Sequence, residues 1–183
     1  MKVCPTCQLK YPDDKSRCFV DGAELAPMPD ERIGQLIGGR YLIEAPLGEG
    51  GMAIVYRARH TLVDRPVAVK MMAKHLASDP SLRERFRREA KNAQTLAHPN
   101  IVEIVDTGEA EDGSAYLVME LLEGISLGGL LEKGPLPPGQ VAEIALQVAR
   151  GLARAHDFQV IHRDLKPDNI FIAKGRDGRP LVK

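Results

Sequence analysis

The chain has 183 residues, 44% of them hydrophobic, with 25 basic and 25 acidic side chains and no net charge. This balance suits a soluble globular chain with one sizeable core and a small appendage, and it excludes the basic excess of a binder of nucleic acid or anionic membrane. No apolar run approaches the roughly 20 residues that cross a bilayer, and Met1 to Pro5 lacks the apolar segment of a signal peptide, so the expected compartment is the cytoplasm.

All three cysteines fall within the first 18 residues. An odd, clustered set argues against a disulfide framework and for metal. Cys4-Pro5-Thr6-Cys7 turns two thiolates toward one point, and Cys18 heads a second turn, Cys18-Phe19-Val20-Asp21-Gly22. Residues 1–25 are therefore expected to form a zinc-ribbon-like module with Cys4, Cys7, Cys18 and Asp21 as Zn²⁺ ligands. A carboxylate in the fourth place should hold zinc less firmly than a fourth thiolate. The alternatives are a tail with reduced thiols and a redox C-x-x-C, the latter lacking a βαβ setting. A segment this short cannot bury a core without the metal. Residues 26–38, with Pro27 and Pro29, read as a linker.

From Tyr41 onward the pattern turns to short β-like runs, at Tyr41 to Leu47, Ile54 to Arg59 and Pro66 to Met71. Between the first two lies Gly48-Glu49-Gly50-Gly51-Met52-Ala53-Ile54-Val55, a loop in which glycine lets backbone N–H groups approach an anion and positive φ costs little. Because a strand follows the loop, a dinucleotide-binding turn is disfavoured, since that turn opens a helix. Lys70 closes the third strand; by itself it reads as a surface residue. Asp79 and Pro80 then start a helix as N-cap and first residue. Leu82, Phe86, Ala90, Ala93 and Ala97 form its inward stripe, with Glu89 at the edge. An acid there needs a cation when the helix docks, or else is solvated beside a helical neighbour. Two more strands, Ile101 to Val105 and Ala115 to Leu121, flank the turn Glu111 to Ser114. Val141, Ile144, Ala145, Val148, Leu152 and Ala155 mark an amphipathic helix from Pro137-Pro138 to Phe158. Ile170 to Ala173 and Leu181 to Lys183 are expected to be strands around the turn Gly175 to Gly178.

The long helix leads into His162-Arg163-Asp164-Leu165-Lys166-Pro167-Asp168-Asn169, which gathers a carboxylate, an ammonium and an amide within six positions and stiffens the turn with proline. Such a loop suits phosphoryl transfer, where the protein positions groups and neutralises charge.

The octet resembles the catalytic loop of serine/threonine protein kinases. The glycine loop is similar to that family's G-x-G-x-x-G-x-V at Gly48, Gly50 and Val55, with Ala53 in place of the third glycine, and Val67-Ala68-Val69-Lys70 resembles its V-A-[IV]-K strand. The cysteine segment resembles zinc-ribbon modules at the N-terminus of some bacterial kinases. The resemblance covers residue 40 onward. It implies an α+β fold: an N-lobe of a five-stranded antiparallel sheet and one helix over residues 39–121, and a partial, mainly helical C-lobe over 122–183. It implies ATP and Mg²⁺ as cofactors and a protein substrate. Leu47, Gly48, Glu49, Gly50, Gly51, Val55 and Ala68 would line the nucleotide, with Lys70 and Glu89 paired to orient its phosphates. Met119, Glu120 and Leu122 would form the back and hinge of the pocket. Asp164 would align or accept the hydroxyl proton, Lys166 would steady the γ-phosphoryl group and Asn169 would hold Mg²⁺. The sequence reaches Lys183 where the family pattern would soon continue into Asp-Phe-Gly. The expectation is a fragment with weak or no activity alone, whose long helix exposes an apolar stripe to a docking partner. The competing expectation is a non-catalytic nucleotide-binding or regulatory module.

Overall fold

A computed structural model describes residues 2–12, 14–28, 30–175 and 178–183, with side chains for all of these except 89–93. The chain divides into two compact units, Met1–Gln35 and Leu36–Lys183. The division falls inside the stretch expected to be a linker, because both flanks of that stretch join sheets.

In the smaller unit, β1 (Lys2–Val3) pairs antiparallel with β2 (Lys10–Tyr11) and with β3 (Ala26–Pro27), giving the order β2-β1-β3. Cys4, Tyr11, Cys18 and Leu25 are its buried cluster. Two thiols in a core of four residues is little apolar area for an independent fold.

The larger unit is built on strands with alternating burial: in β5 (Tyr41–Glu49), Tyr41 and Ile43 are buried while Leu42 and Glu44 are partly exposed. With β4 (Leu36–Ile37), β6 (Ala53–His60), β7 (Arg65–Met72), β8 (Ile104–Glu109) and β9 (Ala115–Glu120) it forms a six-stranded antiparallel sheet of order β4-β5-β6-β7-β9-β8. The five expected strands are present, and β4 adds a sixth at the edge. Its cause is Gly38-Gly39, which takes φ of 56° and 68°. Two successive positive φ values make the tight turn whose twist matches a hairpin, and Ile37 is thereby buried at 4% exposure. At β8 the ladder begins at Ile104 and not at Ile101: Ile101 N–H turns to His98 O, and Glu103, whose carbonyl still accepts from Glu120 N–H at 3.0 Å, gives its own N–H to the Glu120 carboxylate. The core of this sheet joins Tyr41, Ile43, Tyr56, Val67, Val69 and Val118.

Helix α1 (Pro80–Gln94) starts where expected: Asp79 Oδ1 accepts from the N–H groups of Ser81 (2.8 Å) and Leu82 (3.3 Å). The expected stripe residue Ala97 lies beyond its end, and the side chains of Ala90 and Ala93 lie outside the described ones.

Beyond β9 come β10 (Gly124–Ser126), a short α2 (Leu127–Leu131), α3 (Pro138–Asp157), β11 (Phe171–Lys174) and β12 (Pro180–Val182). The strands form a second antiparallel sheet, β10-β11-β12. α3 ends in a paired C-terminal lock, Val160 N–H to Ala155 O (2.9 Å) and Gln159 N–H to His156 O (2.8 Å), with Gln159 at φ 58°. That lock turns the chain into the polar octet, and β11 receives it on the other side. Two residues of the turn expected at Gly175 to Gly178 lie outside the described ones. Of the rest, Gly175 N–H bonds Arg179 O at 2.8 Å.

Candidate functional site

The octet holds itself together through polar contacts. Asn169 Nδ2 donates both to the Asp164 carbonyl (2.8 Å) and to Asp164 Oδ2 (2.9 Å), and Lys166 Nζ lies 3.3 Å from the same carboxylate oxygen. These donors, Asn169 foremost and then Lys166, hold the Asp164 carboxyl below its usual range. Asp164 N–H in turn donates to His162 Nδ1 at 3.4 Å. Pro167–Asn169 is a single 3₁₀ turn that brings the amide back over the aspartate. Arg163 sits at φ 64°, a left-handed conformation that a side chain makes costly, so the surrounding bonds enforce it. The side chains of Asp164 and Lys166 are 67% and 50% exposed, which leaves the carboxylate open to a second molecule.

The loop is seated from beside as well. Leu127 N–H donates to Ile170 O at 2.7 Å, and a Cβ on Gly128 would lie 2.2 Å from Asp168 Oδ1, so the first turn of α2 rests directly on Asp168. Asp168 has no role in the sequence pattern, and its place under α2 comes from tertiary contact; Ser126 caps that helix by accepting from Gly129 N–H at 3.0 Å.

On the larger sheet, β5 and β6 form the glycine hairpin, with Gly48 opposite Val55 and Glu49 opposite Ile54, closed by Gly50 N–H to Ala53 O at 2.9 Å. Positive φ is not the reason for its glycines: Gly48, Gly50 and Gly51 are not among the residues with positive φ. Their value is open space, since a Cβ at Gly48 or Gly51 would meet nothing within 4 Å. Leu47 at the hairpin's base is 52% exposed, and Ala53, in the place of the third glycine, is buried against β7.

Lys70 lies in the middle of the sheet, opposite Val55 on one side and Leu117 on the other, so the hairpin and the lysine are adjacent in register. Its Nζ is 5.8 Å from the centre of the Phe86 ring on α1, which places the ammonium against that helix. The side chain of Glu89, expected to pair with it, lies outside the described ones. Ala68, 6% exposed, is opposite Met119, and Val67 is opposite Glu120. Leu122 and its neighbours carry the chain from β9 to β10, from one sheet to the other. The Glu120 side chain is held by Lys183 Nζ at 2.5 Å and Glu103 N–H at 2.8 Å, an arrangement sequence reasoning missed because its partners are 63 and 17 residues away.

In the smaller unit Cys4, Cys7, Cys18 and Asp21 offer ligand atoms that all lie within 4.8 Å of one another. Two equivalent turns present them: Gln8 N–H bonds Cys4 O (3.0 Å) and Gly22 N–H bonds Cys18 O (3.1 Å), and each turn closes on a left-handed residue, Gln8 at φ 61° and Gly22 at φ 72°. Asp21 occupies in the second turn the place of Cys7 in the first. Cys7 and Cys18 Sγ are 3.5 Å apart, Cys4 Sγ is 3.2 Å from Asp21 Oδ2, and the Tyr11 hydroxyl is 3.1 Å from Cys18 Sγ. The Ala23 N–H, followed by the thiols of Cys18 and Cys4, holds Asp21 down to about 2. A backbone hydrogen bond from Leu9 lowers the Cys7 thiol, but burial and the crowding of Cys4, Cys18 and Asp21 push it up to about 12.

Residues 41–183 match the family model described as "Protein kinase domain". The chain belongs to the protein kinase family. It is 43% identical over 158 residues to the serine/threonine-protein kinase pkn3 of Myxococcus xanthus, covering 86% of this chain and 29% of that protein. It is 47% identical over 141 residues to the serine/threonine-protein kinase PrkC of Bacillus subtilis, covering 76% and 22%. The chain thus spans less than a third of the length of these curated relatives. The crystal structure of the Mycobacterium tuberculosis PknI kinase domain superposes with a TM-score of 0.69 at 31% identity, over 81% of this chain and 59% of that one. The kinase fold with an antiparallel-sheet N-lobe is therefore established. Among the described residues no helix is long and apolar enough to cross a membrane.

Proposed function

We propose that this chain carries the nucleotide lobe and catalytic loop of a serine/threonine protein kinase that moves the γ-phosphoryl group of ATP to Ser or Thr hydroxyls of a protein, in the cytoplasm. The observation that carries this reading is the mutual bonding of Asp164, Lys166 and Asn169 in a loop whose carboxylate stays ionised and exposed. The residues present fit a nucleotide. The hairpin at Gly48 to Val55 leaves open space for phosphate oxygens, and Lys70 lies one register step away. Bound ATP supplies the transferable phosphoryl group and the charge that Lys70 and Lys166 offset. Leu47, Val55, Ala68, Met119 and Leu122 provide the apolar walls, with Glu49, Gly50 and Gly51 at the rim. Asp164 aligns the attacking hydroxyl and takes its proton.

For Mg²⁺ the loop contributes one neutral ligand: Asn169 Nδ2 is committed to Asp164, which leaves Oδ1 for the cation. Among the described residues, no group of three or more His, Cys, Asp or Glu ligands gathers in this lobe. We infer that the 183-residue chain by itself transfers phosphate weakly or not at all, since the loop offers Mg²⁺ a single neutral ligand. Radiolabel from γ-labelled ATP should reach a generic Ser/Thr substrate when the chain is mixed with the remaining kinase-lobe segment of pkn3, and Asp164→Asn should abolish that signal. Transfer that survives Asp164→Asn would refute the assignment.

The cysteine cluster is read as a zinc site. Zinc–sulfur bonds of about 2.3 Å in a tetrahedron separate sulfurs by about 3.8 Å, close to the 3.5 Å between Cys7 and Cys18. Elemental analysis should find about one zinc per chain, lost in Cys4→Ser and Cys18→Ser; metal-free protein with an unchanged fold would sink this reading.

A second reading, a regulatory docking module, is favoured by an open apolar groove of about 300 Å³ lined by Leu127, Leu131, Val141, Ile144 and Val148. Nucleotide binding without restored transfer in the mixing experiment would select it.

A further inference from the structure

We propose that Lys183 is a positioning residue, which with Glu120 clasps the crossing between the two sheets and so fixes the adenine-side edge of the site; this rests on the nucleotide reading given above. Lys183 Nζ donates to Glu120 Oε1 at 2.5 Å and to Ile101 O at 3.2 Å, and the same Oε1 accepts from Glu103 N–H at 2.8 Å. One part-buried ion pair therefore joins three segments: the end of β9, the connector before β8, and the residue that follows β12. The Lys183 ammonium side chain is 8% exposed and Glu120 21%.

The backbone of Lys183 extends the link. It exchanges two 2.8 Å hydrogen bonds with Phe171, two residues after Asn169. The clasp thus connects the chain at Met119 to Leu122 with the strand on which the catalytic loop lands. A parallel tie runs beside it: Asn100 Nδ2 donates to Val182 O (2.8 Å) and to Gln147 Oε1 (3.0 Å) on α3, and Val182 N–H donates to the same Gln147 oxygen (3.0 Å).

A buried ion pair is a poor source of net stability, because desolvation offsets most of its attraction, whereas removing one partner strands the other charge. What such a pair does supply is geometry. Each charge here has a second, backbone partner, so the pair is satisfied in one arrangement of the three segments. Phosphoryl transfer is sensitive to displacements of about 1 Å; beside the backbone bond from Lys174 N–H to Glu123 O (3.2 Å), Lys183 adds the side-chain tie between the crossing and the strand behind the catalytic loop.

The test uses the 183-residue chain, with hydrogen exchange of residues 101–104 and 119–123 and titration with a fluorescent ATP analogue in Mg²⁺. Lys183→Met and Glu120→Gln should speed exchange in those two segments while leaving β5 to β7 protected, and should weaken the analogue roughly tenfold. Lys183→Arg should keep both properties, and the swap Lys183→Glu with Glu120→Lys should recover part of the affinity. A Lys183→Met protein that melts lower but binds the analogue as wild type does has lost only stability, and the positioning role is overturned. Unchanged exchange in both segments overturns the clasp itself. If the wild-type chain binds no analogue, the nucleotide reading fails, and local loss of protection in Lys183→Met still upholds the clasp.

Discussion

Gly124→Ala isolates the close approach that holds the second sheet, and with it the catalytic loop, in place. A Cβ at residue 124 would lie 2.1 Å from the Ile172 carbonyl oxygen, about 1.3 Å short of the 3.4 Å at which ordinary contact begins, and 3.0 Å from Ala173 Cα. The three nearest atoms, with the Ile172 carbonyl carbon at 2.9 Å as the third, are all backbone, so no rotamer change relieves the clash and β10 must move off β11. That pairing has three residue pairs, Gly124 with Ala173, Ile125 with Ile172 and Ser126 with Phe171. Overpacking of this kind costs about 1–3 kcal/mol, and each ladder hydrogen bond lost adds about 0.5–1.5 kcal/mol. Loss of glycine's freedom in the unfolded chain returns about 0.4–1 kcal/mol. The net is about 2–3 kcal/mol, which for a chain of this size lowers the melting temperature by about 4–12 °C. Differential scanning calorimetry measures it, with Gly139→Ala as the control, since a Cβ there meets nothing within 4 Å. Gly124→Ala melting within about 1 °C of wild type would refute the contact.

Tyr41→Phe tests the buried tie between β5 and β8. The hydroxyl donates to Asp106 Oδ2 at 2.8 Å; that oxygen also meets Arg40 Nη2 at 2.9 Å and Oδ1 accepts from Thr107 N–H at 2.8 Å, so Asp106 keeps two partners and the loss in urea unfolding should be about 1 kcal/mol. Asp79→Ala tests the cap of α1 through pH. Hydrogen bonds from Ser81, then the Leu82 N–H, lower the Asp79 carboxyl below its ordinary 3.8 in the folded chain. A depressed folded value means the stabilisation is complete above pH 3.8 and fades as pH falls through the lower value. The gap in urea midpoint between wild type and Asp79→Ala should therefore be full at neutral pH and close below pH 3.8; a constant gap would show that the carboxylate is not the cap.

Several elements were legible because their signals are local. Asp79-Pro80 announced the start of α1, Pro137-Pro138 announced α3, and the β-like runs announced five strands of the larger sheet. The octet and the glycine hairpin were legible as chemistry, because spacing along the chain fixes which side chains share a loop. Gly38-Gly39 carried a hairpin signal as well, but two-residue strands are too short to show alternation, and β4 was folded into an expected linker. The short α2 was hidden for a similar reason: Gly128 and Gly129 are poor helix formers, and tertiary contact with Asp168 and Ile170 stabilises what propensity does not.

Sequence alone determined the kinase resemblance, the identity of the loop residues and the proposed zinc ligands, since each rests on residue type at short spacing. Tertiary structure decided how those residues meet. Asn169 is turned onto Asp164, the ligand atoms of Cys4, Cys7, Cys18 and Asp21 converge to within 4.8 Å of one another, and Lys183 reaches Glu120 across 63 residues. Contacts of that last kind leave no periodic trace in a chain, because the partners of a buried charge are chosen by packing and not by sequence distance.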